Sequence, residues 1–316
     1  MILQAAAGGT LAAVAGAGPA RAAGGPEGPR TVYLDYTQEE LDAALDQQRH
    51  APNWRDLLKV YEERSAAAQR LMPPDVRRYG DDADEYLDIY RAKSSKPAPI
   101  LLFFHGGGWR MMSRRDVAYA ASTFVEAGVN FVAPEYSLRP KATLREMAEQ
   151  CRRALLWTHA NAHTFNGDSR RIYVGGLSAG AQLAGVLIAT DWRAHGLSEN
   201  AIRGALLVSG IYDVAALAAS TVYGYTNIEP TDIAPLSAMH RAESVRAFVT
   251  LAWGEKEPPE FARQSRAFAA ALDAVAKPHR TFIAPRKNHF EIALELADAD
   301  SELSRLALEM MRERGT

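Results

Sequence analysis

Arg171-Ile172-Tyr173-Val174-Gly175-Gly176-Leu177-Ser178-Ala179-Gly180 carries a short apolar β-type run into a glycine-flanked serine, and an Ala-rich helical stretch, Ala179 to Thr190, follows at once. This order fits the pattern Gly-x-Ser-x-Gly, in which a serine rides a strained strand-to-helix turn. The spacing has a physical cause: glycine on either side lets neighbouring backbone approach closely. The serine hydroxyl then stands at a helix N-terminus, where free amides and the helix dipole favour developing negative charge. Ser178 is therefore the candidate nucleophile.

Outward from this turn, strand and helix patterns alternate. Strands are expected at Tyr86 to Tyr90, Ile100 to Phe104, Val129 to Ala133, Ile172 to Gly175, Ala205 to Ser209, Phe248 to Ala252 and Thr281 to Ala284. Helical patterns occupy Arg115 to Ala127, Thr143 to Thr164, Ala179 to Thr190, Pro259 to Val275 and Phe290 to Arg314. Ile100-Leu101-Leu102-Phe103-Phe104 is continuously apolar, as a strand buried on both faces must be. The expectation is one α/β domain over residues 73–316, a mostly parallel central sheet with helices on both faces. Residues 33–72 are helical and polar, with Thr37 and Asn53 as candidate N-caps, and form an N-terminal appendage closed by Pro73-Pro74. Val214 to Glu243 is the least periodic segment, of the kind that shapes substrate pockets.

A serine of ordinary acidity needs a base, a carboxylate to orient it and donors for the oxyanion. The strand Ile100 to Phe104 ends in His105-Gly106-Gly107-Gly108-Trp109, a glycine loop that offers bare amides. Gly107, Gly108 and Ala179 are the candidate donors, and His105 orders the loop. In the chain order serine, acid, histidine, His289 of Asn288-His289-Phe290 follows the last strand and is the candidate base. The acid belongs after the strand Phe248 to Ala252, where Glu255, Glu257 and Glu260 compete. Glu260 suits the first turn of the next helix without any catalytic role. Glu255 and Glu257 both stay open on this ground, with Asp213 an outside choice.

Taken together, His105-Gly-Gly-Gly-Trp109, Gly176-Leu-Ser-Ala-Gly180, Ser209-Gly-Ile-Tyr-Asp213, Gly254-Glu-Lys-Glu-Pro-Pro-Glu-Phe261, Arg263-Gln-Ser265 and Asn288-His-Phe290 resemble the arylformamidase (kynurenine formamidase-like) branch of the α/β-hydrolases. The resemblance spans roughly residues 50–312 and implies the α/β-hydrolase fold and acyl transfer through an acyl-enzyme. It places the orienting acid on Glu257, where the family more usually has Asp. Leu177 stands where the family commonly has His. The implied chemistry is hydrolysis of a small carboxylic ester or amide-type acyl bond, with aryl formamides of the N-formylkynurenine type, carbamates, and a non-catalytic binding homologue as alternatives. Trp109, Leu177, Tyr136 and Phe290, with Tyr223 to Tyr225, are candidate pocket residues.

Composition narrows the partners. The 316 residues hold 36 Lys+Arg against 38 Asp+Glu, a formal net charge of -2, which lacks the positive field that nucleic-acid binding needs. The single cysteine, Cys151, forms no internal disulfide or thiolate cluster and is expected in the core. His159 and His163 lie four apart, but the stretch lacks the Glu of a hydrolytic zinc helix. No cofactor or metal is expected. Residues 1–24 are rich in Ala and Gly, carry no charge before Arg21 and offer the small-residue site Ala20-Arg21-Ala22. They are expected to be an export signal, of a twin-arginine type whose start lies upstream, rather than a membrane span. The enzyme is then periplasmic or secreted, with a cytoplasmic protein bearing a low-complexity tail as the alternative. The oligomeric state stays open, a homodimer included.

Overall fold

The computed structural model describes residues 30–313, and the expected export signal lies outside them. The described residues open with a small hairpin, β1 (Thr31–Tyr33) and β2 (Tyr36–Thr37), followed by α1 (Gln38–Leu45), α2 (Gln47–His50) and α3 (Trp54–Leu71). Then come β3 (Asp75–Arg78), β4 (Tyr86–Tyr90), β5 (Ala98–Phe104), α4 (Ala121–Glu126), β6 (Asn130–Pro134), α5 (Leu144–Asn161), β7 (Gly167–Leu177) and α6 (Ala179–Ile188). The last third holds β8 (Gly204–Val208), α7 (Ala215–Ala219), α8 (Pro230–Leu236), β9 (Phe248–Gly254), α9 (Pro259–Ala274), β10 (His279–Ala284) and α10 (Glu302–Glu313).

Strands β3 to β10 form one sheet in the order β10-β9-β8-β7-β5-β6-β4-β3. Pairing is parallel from β10 to β6 and antiparallel at β6–β4 and β4–β3. Alternation along β5 divides the core: Ile100, Leu102 and Phe104 join a cluster with α5, α6 and α9, while Leu101 and Phe103 join one with α4 and α10. The expected parallel sheet with helices on both faces is the one observed. Cys151, in α5, lies in the first cluster, and burial pushes its thiol pKa up, as expected of an inert core residue.

Thr37 caps α1 with a full capping box through Glu40. Asn53 makes no cap bond on α3, because its side chain is engaged elsewhere. The helix expected from Phe290 to Arg314 is corrected: after turns and a 3-10 segment, Ala293–Ala297, the α-helix starts only at Glu302. Asn288 caps the first turn by accepting the Phe290 and Glu291 N–H groups, and the break comes at Asp298, whose side chain accepts the Asp300 N–H and so competes with the helix ladder. The helix expected from Arg115 to Ala127 begins as a 3-10 segment, Arg114–Ala120, and becomes α only at Ala121. Strand β3 carries Arg77, Arg78 and exposed Val76 at the sheet edge, so it shows none of the apolar signal of a buried strand.

Candidate active site

Strand β7 delivers Ser178 to the C-terminal end of the sheet. The residue takes φ 56° and ψ -117°, a sparsely populated conformation, and its N–H donates to the Val208 carbonyl at 2.8 Å. Such strain costs about 1–3 kcal/mol and persists only where surrounding packing fixes it. Here Gly180 supplies the fit: a Cβ on it would lie 2.1 Å from the Phe104 carbonyl oxygen and 2.4 Å from that of His105. The start of α6 can therefore press against the end of β5, which brings the serine turn beside the glycine loop.

The base and acid arrive from neighbouring strands. His289 follows β10, is 2% exposed, and its Nδ1 meets Glu257 Oε2 at 3.1 Å. The other carboxylate oxygen, Oε1, accepts from Ser209 Oγ at 2.5 Å and from the Gly254 N–H at 2.6 Å. Glu257 is thus fixed through one oxygen and presents the second to the imidazole. Its partner fixes Nδ1 as the protonated nitrogen, leaving Nε2 with a lone pair. Ser178 and His289 line one cavity. Glu255 is exposed and accepts from the Arg286 N–H at 2.7 Å, away from His289. Glu260 pairs with Arg263, and Asp213 accepts from the Tyr33 hydroxyl and the Ala215 N–H. Of the four carboxylates weighed, Glu257 is the one in contact with His289.

The glycine loop is fixed through its carbonyls. His105 Nδ1 donates to the Gly106 oxygen at 2.8 Å, and the Gly107 oxygen accepts from Arg110 and Met111 N–H groups at 3.2 and 3.1 Å. In a trans peptide the N–H points opposite to the C=O, so these bonds aim the Gly107 and Gly108 amides the other way. Among the described residues those two amides have no acceptor. Gly107 holds φ +101°, and a Cβ there would lie 2.0 Å from the Met111 oxygen, so only glycine fits. His105 is fully buried, stacks on Tyr136 at 4.2 Å and meets Glu135 Oε1 at 3.0 Å. Burial pushes the Glu135 carboxyl up, but the His105 hydrogen bond and charge and the Arg114 contacts outweigh it and hold the group below its usual range.

Above Ser178 lies a cavity of about 150 Å³. Gly107, Gly108, Leu177 and His289 share its walls with Met111, Met112, Phe290 and the aromatic pair Tyr223 and Tyr225. Trp54, Leu58 and Tyr61 of α3 and Leu45 to Gln48 complete it, so the N-terminal appendage contributes directly to the site. Leu177 and Phe290 line the cavity as expected. Trp109 and Tyr136 do not: Trp109, at φ 58°, turns inward to donate to Gln182 Oε1, and Tyr136 stacks behind the loop on His105. Proximity to a glycine loop in sequence says nothing about which way such a ring faces. Sequence reasoning missed Ser209 as the anchor of Glu257, and it missed Asn53 and Tyr61. Tyr61 donates to the Phe290 carbonyl at 2.5 Å, a link with no local signature.

Residues 101–284 match the family described as having the alpha/beta hydrolase fold. The chain is 31% identical over 301 residues to the kynurenine formamidase of Salmo salar, covering 88% of this chain and 98% of that protein. It is 30% identical over 285 residues to the esterase LipQ of Mycobacterium tuberculosis, covering 77% of this chain and 67% of that one. Among solved structures, the esterase of Pyrobaculum calidifontis superposes with a TM-score of 0.67 at 17% identity, over 84% of this chain and 96% of that chain. The chain belongs to the α/β-hydrolases, in the branch that unites kynurenine formamidases with mycobacterial esterases, and is a serine hydrolase acting on ester or amide bonds.

Proposed function

We propose that Ser178 is the nucleophile, His289 the base and then the acid, and Glu257 the orienting carboxylate, in the hydrolysis of small aryl esters through an acyl-enzyme. The observation that carries this reading is the one-sided anchoring of Glu257. With Oε1 held by Ser209 and Gly254, Oε2 sets the imidazole on the same cavity as the strained serine. Nε2 takes the Ser178 proton as Oγ attacks the substrate carbonyl, and returns it to the leaving group as the bond to that group breaks. The carbonyl oxygen, anionic at that point, lies with the amides of Gly107, Gly108 and Ala179, each worth about 3 kcal/mol in such a role. Water then repeats the sequence on the acyl-enzyme. The small cavity and its aromatic walls favour a short acyl chain on an aryl leaving group.

A second reading, aryl formamide hydrolysis, is favoured by the similarity to kynurenine formamidases, which extends over 88% of this chain and 98% of theirs. Carbamates would follow the same chemistry. The Ala/Gly-rich first 24 residues support an exported enzyme that meets external esters, which fractionation of producing cells tests. The deciding experiment is single-turnover hydrolysis of phenyl acetate, N-formylkynurenine and an aryl carbamate, with the Ser178→Ala protein beside each. The ester is expected to react fastest and Ser178→Ala to react with none. A tenth or more of the activity surviving in a folded Ser178→Ala protein would overturn the nucleophile assignment. Preference for the formamide would install the second reading.

A further inference from the structure

Arg110 and Met112 belong both to the cavity over Ser178 and to a neighbouring cavity of about 430 Å³. The second cavity brings Arg110, Arg114, Arg139 and Lys141 together against the carboxylates Asp84 and Glu135. Two of these cations are paired: Arg114 with Asp88 and Glu135, and Lys141 with Asp82 and Asp84. The other two make no ion pair with a described residue, although the Arg139 charge adds to the Thr143 hydrogen bonds in holding the Glu146 carboxyl below its usual range. Arg139 donates to the backbone oxygens of Tyr225 and Ala142 at 3.0 and 3.4 Å, groups that carry no net charge. Arg110 stacks its guanidinium 4.4 Å from the Tyr225 ring centroid and makes no ion pair with a described residue. Among the described residues the one carboxylate on the wall of the first cavity, Asp46, caps α2 by accepting from the Gln48 and Arg49 N–H groups.

Arg110, which has no carboxylate partner among the described residues, and Arg139 therefore flank one residue, Tyr225, one on its ring and one on its carbonyl. Tyr225 in turn donates its hydroxyl to the Gly108 oxygen at 2.9 Å, which ties the pair to the loop beside Ser178. A guanidinium held over an aromatic face by its central carbon keeps N–H donors available, and the guanidinium fork matches a carboxylate.

We propose that Arg110, backed by Arg139, is a specificity determinant that selects substrates bearing a carboxylate on the side remote from the scissile carbonyl. This deepens the hydrolase reading and rests on it: the substrate class becomes anionic aryl esters or amides rather than neutral ones. The anion would lie toward the second cavity while the scissile carbonyl faces Ser178.

The test uses an isosteric pair, 3-carboxyphenyl acetate and 3-carbamoylphenyl acetate, and the quantity compared is the ratio of their kcat/KM values in each protein. The full chain is expected to favour the carboxylate by about tenfold, the scale of one charge-assisted hydrogen-bonded contact. Arg110→Gln is expected to bring the ratio near unity, Arg110→Lys to restore part of it, and Arg139→Gln to lower it less. Salt at about 0.5 M should shrink the preference of the unaltered protein. A structural role for Arg110 would lower both substrates alike and leave the ratio unchanged, which overturns the proposal. Calorimetric binding of the same two compounds to the Ser178→Ala protein separates this proposal from the catalytic assignment. A carboxylate preference there that Arg110→Gln abolishes supports the site even if the nucleophile is misassigned, and equal binding overturns it whatever the turnover.

Discussion

Asn53 and Asn288 hold each other across 235 positions of sequence: Asn288 Nδ2 donates to Asn53 Oδ1 at 3.0 Å. Asn53 also donates to Glu291 Oε1, whose other oxygen accepts the Asn288 N–H. The first residue before α3 is thus bound into the loop that carries His289. Tyr61, two turns further along the helix, grips the same loop through the Phe290 carbonyl.

Asn53→Ala removes two half-buried side-chain bonds, a loss of about 1–2 kcal/mol. The expected effect on catalysis is a fall in kcat of about three- to tenfold with KM nearly unchanged, because the base and not the cavity wall is loosened. Steady-state kinetics on the full chain checks this. A change confined to KM would show that the appendage only shapes the cavity.

Glu257→Gln is expected to lower kcat/KM by about three to four orders of magnitude, and Glu255→Gln by less than about twofold. Ser209 and Gly254 both donate to Oε1, so a glutamine must keep its oxygen there and turn its amide toward His289. The imidazole then accepts at Nδ1 and carries its proton on Nε2, the wrong tautomer for a base. Glu255, which only receives the Arg286 N–H, has no such reach. Comparable losses in the two variants would remove Glu257 from the orienting role.

Much of this arrangement is legible before any coordinates. Continuous apolar runs mark the central strands, and the turns at Ser178 and His289 follow from chain order on that sheet. The edge strand β3 was not legible, since an exposed strand carrying Asp75, Arg77 and Arg78 looks like loop. Glu257 could be separated from Glu255 only by family resemblance, because two carboxylates two positions apart differ in where the turn after β9 aims them. A ring beside a glycine loop, such as Trp109 or Tyr136, carries no sign of its facing, and here both turn away from the cavity. Long-range clamps such as Asn53 to Asn288 leave no local trace at all.

Gly180→Ala tests the contact between the serine turn and β5. The added Cβ would sit 2.1 Å from the Phe104 oxygen, and backbone must move to admit it. Overpacking of this kind costs about 1–3 kcal/mol, so the unfolding midpoint is expected to fall by several degrees, about 2–4 °C for each kcal/mol. Activity should fall further than stability does, because the displaced atoms flank both Ser178 and the glycine loop. Gly224→Ala, whose Cβ meets nothing within 4 Å, is the matched control and should change the midpoint little. A midpoint for Gly180→Ala equal to that of the control would contradict the close approach.

Glu135 supplies the pH test. Its carboxyl is held below the usual range, about 4.3 for a free glutamate, because the His105 and Arg114 contacts outweigh burial. A group whose folded pKa is depressed stabilises the fold fully above its unfolded pKa, and that contribution disappears as pH falls through the folded value. Stability of the unaltered protein should therefore drop more steeply than that of Glu135→Gln as pH falls below the free glutamate value of about 4.3, since the variant has no proton to take up there. At pH 7 the variant should be the less stable by about 1–3 kcal/mol, the cost of leaving buried donors on His105 and Arg114 poorly matched. Urea midpoints measured across that range give both numbers. Because His105 fixes the Gly106 carbonyl and so the direction of the Gly107 amide, Glu135→Gln should also lower kcat in the pH range where the fold is intact. Equal acid slopes for the two proteins, or an unchanged kcat, would separate the buried Glu135–His105 pair from the loop it supports.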